Sequence, residues 1–143
     1  MTSFHFWIRW LVAVGWLLVA FGLAMATLNG TWLFDLLFNR RIDPAFWPAG
    51  SVPADLASFR AWVYGVLGAT VAGWGVFLVF LAGNPLKKRE RWARNCLFLG
   101  ITLWFLVDTA ISAYFGVYFN VLFNSVLAVL VYVPLAATRR HFG

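Results

Sequence analysis

The stretch from Cys96 to Ala137, CLFLGITLWFLVDTAISAYFGVYFNVLFNSVLAVLVYVPLAA, holds one charged residue, Asp108, and decides the fold. Crossing about 30 Å of hydrocarbon takes about 20 apolar residues in a helix rising about 1.5 Å per residue. This stretch is long enough for two crossings. Its one break lies around Gly116, so it reads as a tight hairpin of two helices, over about 96–117 and 118–137. Outward toward the N-terminus, two more runs of the same character cover about 57–82 and 6–28. The expected fold is all-α: an integral membrane four-helix bundle, one transmembrane domain over 1–143, with a long outer loop at about 29–56.

Composition agrees. Of 143 residues, 63% are hydrophobic and 11% charged, whereas soluble domains are about 45–50% apolar and about 25% charged. A water-soluble domain of this size buries only about 70% of its surface, too little to hide so much apolar material. Nine Trp and fifteen Phe fit a chain whose ends sit at membrane–water interfaces. The net charge of +6 is a matter of topology, because its basic residues flank hydrophobic runs and no nucleic-acid recognition motif accompanies them.

Lys and Arg near helix ends gather on the cytoplasmic side. Arg9, Lys87, Lys88, Arg89, Arg91, Arg94, Arg139 and Arg140 fall on one side of four spans, with Arg40, Arg41 and Arg60 opposite. Both termini are therefore expected in the cytoplasm, in a membrane of bacterial inner type. Arg9 before an apolar run and Ala24-Met25-Ala26 imitate a secretory signal. The run is too long and too rich in Trp for that, and reads as a retained helix. Lys87 to Arg94 are expected to contact anionic lipid headgroups.

In the outer loop, Trp32, Leu33, Leu36 and Leu37 repeat at helical spacing, giving a short interfacial helix over 31–39. Asp43-Pro44 and Trp47-Pro48 read as turns, and Ser51, Pro53 and Asp55 suit the start of the second span. Asn84-Pro85 reads as its stop. Within that span Ala61, Gly65, Gly68, Ala72 and Gly75 share one face, a seam along which helices approach closely. Its partner is either the first span, through Gly15, Gly22 and Ala26, or another chain.

Asp108 is the one acid well inside a span, and such residues usually face protein and find partners. Counting along the helices from the hairpin turn puts Asn124 at a comparable depth, with Asn120 on its face and Ser112 on that of Asp108. An Asp108–Asn124 hydrogen bond follows, with Thr109, Tyr114 and Tyr118 nearby. The cluster is either a site for a proton, cation or polar headgroup, or a set of ties holding the hairpin. Arg60 is expected to snorkel outward or to pair with Asp35, Asp43 or Asp55.

Several chemistries lack their residues. Cys96 is alone, so there is no intrachain disulfide or Cys-pair redox centre. The first span has no acid, unlike the drug-exporting four-helix type. His5 and His141 are expected outside the spans, and no metalloprotease, phosphate-loop, dinucleotide or nucleophile-elbow motif occurs. No cofactor is indicated. The expected role is a non-catalytic accessory or scaffold subunit, a homo-oligomer or part of a larger membrane complex. A transporter, channel or proton pathway using Asp108 is the alternative, followed by a lipid, quinone or pigment binder.

Overall fold

In the first helix no proline interrupts the backbone ladder, and α1 runs unbroken over Thr2–Leu28. It starts before the expected boundary and includes His5. The computed structural model describes residues 2–48, 50 and 52–142, and among these there is no strand. Four helices are long and apolar enough to cross a membrane: α1, α4 (Ala54–Leu81, extended to Leu86), α5 (Arg91–Tyr114) and α6 (Tyr118–Ala137). The all-α transmembrane bundle is thus the observed architecture.

At the basic turn both helix ends differ from their expected positions. Asn84-Pro85 does not stop the second span. The helix widens into a π turn, Ala82–Leu86, which accommodates the proline's missing N–H and carries the fully buried Ala82 and Leu86 into the core. Helix α5 begins at Arg91 rather than Cys96, because Arg91, Arg94 and Asn95 are helical without being apolar. Hydropathy marks the hydrocarbon-embedded part of a helix, not its length. At its other end α5 stops at Tyr114. Gly116, at φ +73°, takes the left-handed conformation, its N–H bonds Ala113 O at 3.1 Å, and Val117 N–H bonds Ser112 O at 2.8 Å. Those are the two bonds of a Schellman cap, which turns the chain straight into α6.

The segment expected as a short helix is longer. Thr31 Oγ1 accepts from Phe34 N–H, and helical turns continue through α2 (Trp32–Phe34), a π turn (Asp35–Asn39), α3 (Arg40–Ile42) and a 3-10 turn (Asp43–Ala45). The expected Asp43-Pro44 turn is absorbed here, since proline is tolerated where a first-turn N–H has no partner to meet. This crown packs across the bundle end through aromatic rings. Phe38 stacks on Phe34 and meets Phe21, Phe119 and Phe123 from α1 and α6, while Phe34 meets Tyr64 of α4. Trp32, Leu33, Leu36 and Leu37 face outward. Ser51 lies outside the described residues, and α4 follows Pro53 with no side-chain cap.

The spans pack in the order α4, α1, α6, α5. Between α1 and α4 the backbones nearly touch: a Cβ on Gly22 would lie 2.4 Å from Ala72 N and 2.5 Å from Gly68 O. Between α1 and α6, Trp10 Nε1 donates to Leu130 O at 3.1 Å. That carbonyl would otherwise serve residue 134, but Pro134 has no N–H, so the indole satisfies a group that lipid cannot. Helix α5 rests on α6 and meets the α4 side mainly through the π turn at its base. The core lies at that basic end, where Phe4, Leu11, Leu86, Ala93, Leu135 and Phe142 are buried together.

Candidate functional site

Asp108 lies six residues before the end of α5 and Asn124 six residues after the start of α6. At about 1.5 Å per residue both sit about 9 Å below the hairpin turn. The tight cap leaves no slack to shift this register. Asp108 Oδ1 accepts three hydrogen bonds: from Asn120 Nδ2 at 2.8 Å, Asn124 Nδ2 at 2.8 Å and Ser112 Oγ at 3.1 Å. Asn120 Nδ2 also reaches Ser112 Oγ at 2.8 Å, and Asn124 Nδ2 reaches Thr109 Oγ1 at 3.4 Å. Asn124 and Ser112 are buried, while Asp108 and Asn120 are half-buried. Tyr114 and Tyr118 stay outside the cluster, highly exposed at the turn. One carboxylate oxygen thus gathers donors from both arms of the hairpin, where lipid offers no competing partner.

The seam residues divide. Gly68, Ala72 and Gly75 face α1, with Gly75 against Gly15 and Val19, and Gly68 against Gly22 and Ala26. Gly65 has open space where its Cβ would be, and Ala61 is exposed. At the basic end Lys87, Lys88, Arg89 and Arg91 are exposed. Arg91 Nε donates to Phe142 O at 2.7 Å, Arg89 lies over the Phe4 ring, and the half-buried Arg94 keeps its Nε without a partner. His141 also leans on Phe4. Arg60 takes the second of its expected arrangements, an ion pair with Asp43 at 2.7 Å between mostly buried side chains.

Two features escaped the sequence reading. Asn39, expected only as the end of a surface helix, is 1% exposed, and its Oδ1 has no hydrogen-bond partner. Helical spacing gave no signal for it, since Asn39 lies five residues after Phe34 and one after Phe38, and it is the π turn over Asp35–Asn39 that carries it inward. The second is a stripe on α5. Cys96, Leu99, Leu103, Leu106, Ala110 and Ala113 alternate at intervals of three and four, and every one is exposed. That is the heptad spacing of helices that pack at a shallow angle. Only Ala93 and Ser112 of α5 are buried.

Among the described residues no group of three or more His, Cys, Asp or Glu could hold a metal ion. No protein family, curated protein or solved structure matches the chain. The fold and site define an all-α transmembrane helix bundle with a polar tie inside one hairpin.

Proposed function

We propose that the chain is a multi-pass protein of a bacterial inner membrane, with its basic end in the cytoplasm, and that it works without chemistry of its own. It serves as an accessory or scaffold subunit that assembles through α5. The observation that carries this reading is the exposed heptad stripe, held on a helix that touches its own chain along α6 and, at its base, the π turn. In lipid, helices associate by shape and close packing rather than by hydrophobic drive. A regular stripe of Leu and small residues is suited to shallow-angle packing, and the Asp108 tie holds the helix that carries it. The engaged carboxylate oxygen supports a structural role for Asp108.

A second copy of the chain is the simplest occupant, since a two-fold axis along α5 brings each stripe against its equal. Cys96 is the first residue of the stripe and is exposed. Mild copper-catalysed oxidation in native membranes is expected to give a disulfide-linked dimer. In a Cys96→Ser background, single cysteines at 99, 103 and 106 should cross-link, and one at 101 should not. Cross-linking independent of the heptad position, or a monomer in every mild detergent with no cross-link in membranes, would overturn the proposal.

A further inference from the structure

Where α1 ends, Asn29 and Gly30 turn the chain into the crown and leave a cavity of about 260 Å³ against the first turns of α4. Its walls include Asn29, Thr31, Trp32, Asp35, Asn39 and Arg60. Two of these carry opposite charges, each already half engaged. Asp35 accepts from Arg40 Nε through Oδ2 at 3.0 Å, and Arg60 donates to Asp43 through Nη1 at 2.7 Å. A carboxylate accepts at both oxygens and a guanidinium has five N–H donors, so both keep capacity to spare. Asn39 adds an amide 1% exposed whose oxygen has no partner. A buried acceptor left unpaired is costly, and most such groups in folded proteins are satisfied. It is supplied here by a π turn, an uncommon element often found where a chain binds something.

We propose that this cavity binds a zwitterion with a primary ammonium and a phosphate, the chemistry of a phosphoethanolamine headgroup. The ammonium gives its N–H donors to Asp35 and Asn39 Oδ1, and the phosphate takes donors from Arg60. A simple anion would lie beside Asp35 and a simple cation beside Arg60; a zwitterion satisfies both walls. A quaternary ammonium has no N–H for the amide oxygen. The cavity opens at the end of the membrane-crossing helices, where phospholipid headgroups lie, and Trp32 stands exposed at its rim as interfacial tryptophans do. At about 30 Å³ per water, its volume suits a headgroup rather than a whole lipid.

The test uses the full chain in a maltoside detergent, with affinity read from the saturable rise in thermal unfolding midpoint. The probes are dihexanoyl phosphatidylethanolamine, its phosphatidylcholine and phosphatidylglycerol counterparts, and free O-phosphoethanolamine. The ethanolamine lipid should stabilise the protein, with the other two lipids at least tenfold weaker. Asn39→Leu should bind it about tenfold more weakly, while the unliganded variant melts no lower than the parent because the unpaired amide is gone. Should that variant not fold, Asp35→Asn is expected to show the same loss. A matching response to free O-phosphoethanolamine assigns a soluble ligand, and a response to the lipid alone assigns a membrane one. No saturable stabilisation by either ethanolamine compound, equal response to all three lipids, or unchanged affinity in both variants would overturn the proposal.

Discussion

Asp108 combines two demands that usually conflict, since an acid in hydrocarbon must be compensated and a two-helix hairpin must be held in one register. Three donors on one oxygen meet both. Intramembrane hydrogen bonds average about 0.6 kcal/mol, so Asp108→Leu is expected to cost about 2 kcal/mol, measured by reversible unfolding in mixed detergent micelles. Asp108→Asn keeps an acceptor oxygen and should cost less than half as much. Equal stability of parent and Leu variant would show that the hairpin stands on its apolar contacts alone. The Asp108–Asn124 pairing was legible in the sequence because a tight turn makes depth a matter of counting. Trp10 and Leu130 O were not paired by that reading, although Pro134 marks the carbonyl it frees. Finding the donor required knowing that α1, rather than α5, covers that side of α6.

Between elements, the α1–α4 contact is decided by atoms that glycine lacks. A Cβ at Gly22 meets backbone at 2.4 and 2.5 Å, and backbone cannot rotate away as a side chain can. Gly22→Ala must push the helices apart, at a cost of about 1–3 kcal/mol typical of overpacking. Gly65→Ala meets nothing within 4 Å and should leave stability unchanged or slightly raised. Both variants can be compared by the same unfolding measurement, and equal effects would refute the close-approach account. The small-residue spacing was legible, because a face of Gly and Ala at intervals of three and four has few other uses. How far it engages α1 was not, since Ala61 and Gly65 continue the spacing beyond the close contact. The extents of α5 and the crown were also hidden, because polar helical turns outside the hydrocarbon leave no mark in hydropathy.

Across the whole molecule, charge is sorted by end. Arg91 reaches the carbonyl of Phe142, and Arg9 shares a cleft with Lys87, so the basic turn, the start of α1 and the C-terminal turn form one cationic surface. At the crown, Arg40 pairs with Asp35 and Arg60 with Asp43, leaving little free cationic charge there. Orientation follows the Lys and Arg count close to the spans, which is eight against three in the sequence. A C-terminal green fluorescent protein fusion in a bacterial host is therefore expected to fluoresce and a C-terminal alkaline phosphatase fusion to be inactive. Phosphatase inserted after Gly30 should be active. Exchanging Lys87, Lys88, Arg89, Arg91 and Arg94 for Gln leaves three basic residues at each end and should give both reporters intermediate activity, through a mixed population. An active C-terminal phosphatase in the parent chain would place the crown in the cytoplasm and reverse the orientation. Retained orientation in the five-residue variant would instead mean that the Asp-matched arginines of the crown are too well neutralised to compete.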